Sequence, residues 1–531
     1  MEWLWWRDGV LYQIYPRSFM DASGDGVGDL EGIRRRLDHL AWLGVDGIWI
    51  SPCFPSPMAD FGYDVADYRD IDPLFGSLED FDRLVRDAHA HGIRVVLDLV
   101  PNHSSDRHPW FLESRADPAS PKRDWYVWRD PKPGGAPPNN WISIFGGPAW
   151  EWDEPTGQYF LHSFLKEQPD LNWRNPELVR EMHGVLRFWF ERGVDGFRID
   201  VIQRIAKDPA LRDNPEIADS PGGYGGQRHV HDENHPDVHG MLRGLRAVAD
   251  EYPERMLVGE VYLRDPAEVA KYYGQGDQLH LAFNFALLFT PWDAQRFGAE
   301  IQAWDSLVPA EGWPVHVLSN HDAPRHASRW DDPEHGEARA RLAAMLLLTL
   351  RGTPFLYYGE EIGMRNVEIP RERLQDPLAH TLHPSVARDP ERTPMQWDAS
   401  AGSGFTRAPP WLPLARDAAL RNVERQRAER SSLLWLYRDL IALRRRTPAL
   451  QRGSFRRLES PDGVLAYERR AGASVARIAL NFTPEAQRVE LGAEPLAGGL
   501  RSAYGTPLPA APEPVELAPS EGIVLVVAAS R

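Results

Sequence analysis

Between Val10 and Tyr358, short apolar runs alternate with helix-period segments, and that alternation leaves few folds open. Eight runs read as buried strands: Val10 to Tyr15, Gly47 to Ser51, Arg94 to Val100, Gly196 to Asp200, Met256 to Val261, Leu281 to Ala286, Val315 to Ser319 and Pro354 to Tyr358. Between them, Ile33, Leu37, Leu40 and Leu43 share a helical face, as do Phe81, Leu84, Val85 and Ala88, and Leu178, Met182, Val185 and Trp189. Gly44, Gly92 and Gly193 stand where such helices need left-handed caps. Gly44-Val45-Asp46-Gly47-Ile48 is echoed by Gly193-Val194-Asp195-Gly196-Phe197. Continuous apolar strands separated by helices mean a parallel sheet covered on its outer face. Eight of them predict an α/β fold, a closed (β/α)8 TIM barrel.

The spacing breaks after the third strand, where a stretch rich in Pro, Gly, Trp and Asn precedes the fourth. It reads as an irregular, loop-rich inserted domain over 104–170, so that 1–103 and 171–450 make the barrel. A second long insertion runs from Lys207 to about His239. After Pro448, short strands at Val464 to Glu468, Val475 to Phe482, Gln487 to Leu491 and Gly522 to Val527 predict a C-terminal antiparallel β-sandwich domain over 451–531.

Composition excludes whole classes. With 60 Lys and Arg against 77 Asp and Glu, the net charge is −17, which argues against a nucleic-acid partner. Hydrophobic content of 42% is that of a globular chain. The one cysteine, Cys53, leaves no intramolecular disulfide. Neither a secretory signal nor a run long enough to span a bilayer is present, so no membrane association is expected and the expected compartment is the cytoplasm. The sequence does not define an oligomeric state.

Barrel active sites lie at the C-terminal ends of the strands. Asp200 ends the fourth, Glu260 the fifth, and Asp322 follows the seventh. Two such carboxylates suit glycoside hydrolysis, one attacking the anomeric carbon and one protonating the leaving oxygen. Arg198, two residues before Asp200, shares its face and favours the ionised form, which makes Asp200 the nucleophile. The apolar setting of Glu260 in Met256 to Val261 is expected to raise its pKa and suit an acid.

With those residues go Asp98-Leu99-Val100-Pro101-Asn102-His103, Gln168-Pro169-Asp170-Leu171-Asn172-Trp173, Gly196-Phe197-Arg198-Ile199-Asp200-Val201, Ser319-Asn320-His321-Asp322 and the run Gly352 to Gly363. In this order they resemble glycoside hydrolase family 13, the α-amylase family, over essentially the whole chain. The resemblance implies a retaining α-glycoside mechanism: Asp200 as nucleophile, Glu260 as general acid/base and Asp322 as transition-state stabiliser. It implies that His103, Gln168, Arg198 and His321 line the subsite for the non-reducing glucose. Asp60 to Val65 and Arg392 to Asp398 are similar to the oligosaccharide-acting α-glucosidases, including oligo-1,6-glucosidase. That likeness implies exo action on small oligosaccharides, with Asp60 and Arg388 closing the pocket and Tyr63, Phe164 and Phe145 supplying aromatic faces. Val201 resembles the marker that goes with α-1,6 links. Sucrose- or trehalose-directed hydrolysis, α-1,4 cleavage or glucosyl transfer is the alternative on the same scaffold, and a non-catalytic interaction protein is a distant one.

The loop Asp21-Ala22-Ser23-Gly24-Asp25-Gly26-Val27-Gly28-Asp29 alternates oxygen ligands with turn-forming glycines. In related glucosidases such a loop holds structural Ca2+, and Asp21, Ser23, Asp25, Val27 and Asp29 would be its ligands here, with Ser23 where Asn is usual. No organic cofactor is expected. His229, His231, His235 and His239 read as part of a solvated loop rather than a zinc site.

Overall fold

In a computed structural model, described over residues 3–528 apart from 221, 493, 506 and 510–513, all eight runs become strands of one closed parallel barrel. They are β1 (Leu11–Ile14), β2 (Gly47–Ile50), β3 (Arg94–Leu99), β4 (Gly196–Ile199), β5 (Met256–Gly259), β6 (Leu281–Asn284), β7 (Trp313–Val317) and β8 (Thr353–Tyr357). Leu11 lies opposite Gly47 on one side and Phe355 on the other, which closes the ring. Alternation sorts the side chains. Leu11, Trp49, Val96, Val258, Phe283, Val317 and Phe355 pack inside the barrel, while Phe197 and Ile199 join the outer core beneath the helices. Trp5 sits within the interior cluster, its indole donating to the Glu254 carbonyl (3.0 Å).

The helices form where their caps and faces dictate. Leu78–Ala90 starts at a capping box between Ser77 and Asp80 and buries Phe81, Leu84, Val85 and Ala88. Pro176–Glu191 starts at Asn175, whose side chain accepts from Glu177 and Leu178, with Pro176 at the first helical position. The face expected to be one helix from Ile33 to Leu43 is two, Leu30–Arg35 and Leu37–Leu43. The chain turns at Arg36, whose guanidinium lies over the Trp397 ring (4.2 Å), and all four apolar residues stay buried. The repeated Gly-Val-Asp-Gly segments do one job twice. Gly44 (φ +96°) and Gly193 (φ +94°) end helices in the left-handed region. Asp46 then accepts the Val10 N–H and Asp195 the Val95 N–H, both at 2.9 Å, pinning the start of a neighbouring strand.

After β3 the chain makes a helix, Pro109–Ala116, and a three-stranded sheet from Trp128–Arg129, Trp150–Asp153 and Gln158–Leu161. It returns to the barrel through a bridge between His103 and Asp170. Following the helix Leu433–Arg446, five antiparallel strands pair in the order β9 (Ser454–Arg457), β10 (Val464–Ala471), β11 (Ser474–Asn481), β15 (Gly522–Val527), β13 (Leu496–Arg501). A two-stranded sheet, β12 (Gln487–Val489) with β14 (Val515–Leu517), covers one face across Val464, Ala479, Leu491, Ile523 and Leu525. Among the described residues no helix is long and apolar enough to cross a membrane.

Candidate active site

Parallel strands of equal phase bring their C-terminal ends to one mouth. Asp200 leaves β4 with its N–H on the Leu99 carbonyl (2.8 Å), and Glu260 leaves β5 with its N–H on the Ile199 carbonyl (2.9 Å). Arg198 projects inward between them. One nitrogen, Nη1, donates to Asp200 (2.6 Å) and to Asp98 of β3 (2.8 Å), while Nη2 meets Glu260 (2.7 Å). The guanidinium therefore serves three carboxylates rather than favouring Asp200 alone. Burial pushes the Asp200 carboxyl well above its ordinary range; Arg198 opposes this, while Glu260 and Asp98 add to it. Asp98 is likewise pushed up by burial, to about 7. The expectation that Arg198 singles out an ionised Asp200 gives way to carboxyls whose protons are linked. The apolar run Met256 to Gly259 could not report that the next residue, Glu260, shares an arginine with Asp200.

Asp322, beyond β7, completes the ring of carboxylates. Burial opposes its ionisation, but His321, Arg388 and Arg392 outweigh it and hold the carboxyl below its usual value. Arg392 lies 2.7 Å away and Arg388 3.2 Å. His321 is pushed down to about 3 and His103 to about 4, both by burial, so each is a neutral imidazole at pH 7. The amide of Gln13 donates to Nδ1 of His321 (2.8 Å), which leaves Nε2–H facing the Tyr63 hydroxyl (2.7 Å) and Asp322 (3.0 Å). The Tyr63 and His321 rings stack in parallel, 5.5 Å apart.

The far wall is polar and ordered. Arg388 grips Asp60 (2.8 Å) and is held by both oxygens of Asp376. Gln168 donates to Asp60 (3.3 Å) and contacts Nε2 of His103 (3.2 Å), and His103 packs on Phe164 with ring centres 5.0 Å apart. Phe145 meets Phe164 at 6.1 Å and lies under Arg388. Val201 is in the left-handed region (φ +33°), an outlier for a β-branched residue, and its N–H reaches Glu260 (3.1 Å). Of the catalytic and substrate positions read from sequence, all but Gln168, Arg198 and His321 line one cavity of about 930 Å³, and those three sit behind its wall. Asp98, Gln13, Asp376 and Arg392 belong to the same constellation; Asp98 and Arg392 stand in the segments that carry the family resemblance but were given no role there, and Gln13 and Asp376 were not singled out. Asp98 carried a signal, since it alternates with inward Val96 on β3; the other three act across long sequence gaps.

The Asp21 to Asp29 loop lies apart from the cavity. Asp21 accepts from Gly24 (2.6 Å), Gly26 (2.9 Å) and the Thr406 hydroxyl, and Asp29 from Ala22, Ser23 and Gly32. Among the described residues no three His, Cys, Asp or Glu side chains converge tightly enough to hold a metal by themselves. A cation here would need the Ser23 hydroxyl and Val27 carbonyl as well, an all-oxygen donor set that fits a hard ion. The four histidines disperse: His229 to Asp232, His231 to Asp208, His235 to Asp237 and His239 to Gln278.

A barrel with three carboxylates at its strand ends and a closed polar far wall is the architecture of a sugar-processing enzyme. The family model of the alpha amylase catalytic domain matches residues 13–453, and the chain belongs to that family. It is 46% identical over 515 residues to a probable alpha-glucosidase of Rhizobium meliloti (strain 1021), covering 93% of each chain. It is 42% identical over 480 residues to an oligo-1,6-glucosidase of Heyndrickxia coagulans, covering 83% of this chain and 85% of that one. Among solved structures, an alpha-glucosyl transfer enzyme, XgtA, superposes with a TM-score of 0.93 at 42% identity, over 99% of this chain and 100% of the other.

Proposed function

We propose that this chain is an exo-acting, retaining α-glucosidase that releases glucose from the non-reducing ends of short α-glucosides, α-1,6 links included. The observation that carries the reading is the Arg198 clamp. It holds Asp200 and Glu260 on one guanidinium (2.6 and 2.7 Å), opposite the wall formed by Asp60 and Arg388. Carboxylates so near suit direct attack, for which separations of about 5–5.5 Å are typical, rather than an interposed water. In this reading Asp200 attacks the anomeric carbon as the nucleophile while Glu260, as the general acid, protonates the departing oxygen. Glu260 then deprotonates the water that releases glucose. Asp322, kept ionised by Arg388 and Arg392, stabilises the positive charge developing on the ring. Neutral His103 and His321 contact sugar hydroxyls without adding charge.

Val201 crowds the leaving-group side beside the reacting centre, and such shape differences discriminate linkages by about 1–3 kcal/mol. Glucosyl transfer is the second reading, favoured by the likeness to an alpha-glucosyl transfer enzyme. In the same reading the loop holds Ca2+ through Asp21, Ser23, Asp25, Val27 and Asp29, where the ion supplies charge that fixes the loop's fold. Action in the cytoplasm agrees with a single, buried cysteine. The test is anomer-resolved NMR of isomaltose cleavage. α-Glucose appearing first, with turnover lost in Asp200→Asn by about 10⁴-fold or more, supports the reading. β-Glucose appearing first, or an active Asp200→Asn, refutes it.

A further inference from the structure

Nine non-glycine residues among the described residues have a positive φ, and Val201 is the only β-branched one (φ +33°, ψ +45°). Its two γ carbons crowd the backbone in this region, so the conformation is costly and persists only where neighbours impose it. The Leu99 carbonyl holds the Asp200 N–H (2.8 Å), and the Glu260 carbonyl holds the Ile202 N–H (3.2 Å). The Val201 carbonyl accepts from the Arg204 N–H (2.9 Å), and the Ile202 side chain is fully buried. Strain of this kind is kept where the backbone has a task.

The task shows in where the N–H groups point. Along an inner strand of a sheet they alternate between the two neighbouring strands. The Asp200 N–H faces β3, and continued alternation would return the Ile202 N–H there. The left-handed residue breaks the alternation, as in an anion-binding nest, so that the N–H groups of Val201 and Ile202 both face Glu260. Ile202 meets its main chain. Val201 meets the side chain at Oε2 (3.1 Å), the oxygen that Arg198 Nη2 also holds (2.7 Å). Oε1 has no hydrogen-bond partner among the described residues, and Glu260 lines the cavity. A carboxyl with one oxygen engaged by two donors carries its transferable proton on the other.

We propose that the Val201 amide is a positioning group for the reaction: together with Arg198 it fixes Glu260 by Oε2 and so aims Oε1, the proton-bearing oxygen, at the leaving group. The proposal deepens the glucosidase reading and rests on it. The Oε1–H proton passes to the departing oxygen as its bond to C1 breaks and Asp200 bonds to C1. Oε1, now part of a carboxylate, takes a proton from the water that attacks C1, and the bond to Asp200 breaks to return a free carboxylate. The left-handed turn is thus kept for its N–H, a role separate from the shape of the isopropyl group.

Exchanging Val201→α-hydroxyisovaleric acid puts an ester oxygen in place of the N–H and leaves the side chain unchanged. The readout is kcat/KM for two aryl α-glucosides. para-Nitrophenoxide departs with little protonation, whereas para-methoxyphenoxide needs it. The ester protein is expected to lose about tenfold or more on the para-methoxyphenyl glucoside and less than about threefold on the para-nitrophenyl one. Val201→Ala, which keeps the amide, is expected to retain the parent's ratio between the two. Losses equal for both glucosides, or absent from both, overturn the proposal and leave the glucosidase reading standing. A changed ratio in Val201→Ala also overturns it, since the side chain would then be responsible. Neutron diffraction of parent crystals at acid pH needs no variant. It is expected to place deuterium on Oε1 of Glu260 and the Val201 N–D against Oε2; deuterium on Oε2 overturns the proposal. A parent protein that cleaves neither glucoside refutes the glucosidase reading and the proposal with it.

Discussion

One guanidinium, that of Arg198, touches Asp98, Asp200 and Glu260, so the charge of each depends on protons held by the other two. The alternation rule was enough to place Arg198 and Asp200 on one face, and the same rule applied to β3 reaches Asp98. It was not enough to order their protonation, because that is set by neighbours from three strands. Gln13 was out of reach for a similar reason: its partner, His321, is 308 residues away. Its amide fixes the imidazole tautomer. Gln13→Glu replaces a donor with an acceptor and draws the His321 proton to Nδ1. Nitrogen-15 NMR of the imidazole is expected to show that exchange, with kcat/KM reduced about tenfold; an unchanged tautomer refutes the role. Glu391 makes a second residue-scale case. Burial pushes it up to about 8. Its folded pKa exceeds the unfolded value of 4.5, so the folded state binds the extra proton and stability falls as pH rises from 4.5 through 8. Glu391→Gln removes that loss. Denaturant titrations should find that the gap between variant and parent widens from about pH 4.5 to pH 8, in the variant's favour, by up to about 4 kcal/mol. A gap that does not grow with pH contradicts the assignment.

At the scale of elements, the barrel was legible because buried parallel strands are continuous apolar runs, several of them entered from left-handed glycines. The C-terminal sheets were less so. β9 reads Ser-Phe-Arg-Arg with alternate residues exposed, and β13 contains Gly498 and Gly499, so neither carries an apolar signal. Both are strands because neighbours pair with them: β9 lies along β10, and β13 along β15 through a bulge. The Asp21 to Asp29 loop makes its own prediction. Its glycines and carboxylates already close the turns, and Thr406 ties Asp21 to a distant segment. A cation bound there stabilises the fold by mass action. Thermal melts should rise saturably with added Ca2+ and fall with chelator, and Asp21→Ala should abolish the response. A melting temperature indifferent to both chelator and Ca2+ argues against the site.

At the scale of the molecule, the C-terminal sheets are not a separate body. The helix Gly336–Thr349 is buried on nearly all sides, which is why its sequence shows little amphipathic bias. Its Leu342, Met345 and Leu346 share one continuous core with Leu465, Ile478, Leu480 and Val524 of the sheet. Polar contacts reinforce the join. Arg469, fully buried in β10, donates to the carbonyls of Thr349 (2.5 Å) and Gly453 (3.0 Å), and the Trp292 indole donates to the Phe482 carbonyl (3.1 Å). A core shared across the boundary makes independent unfolding of either part costly, since each would expose the apolar face the other covers. Calorimetry is therefore expected to show one transition, with calorimetric and van't Hoff enthalpies in agreement. Arg469→Met leaves two buried carbonyls without their donor, a loss of about 3 kcal/mol, and should lower that transition or split it. Two resolved transitions in the parent protein refute the shared core. They would mean that the sheets melt as a unit of their own and that the helix Gly336–Thr349 remains folded on the barrel without them.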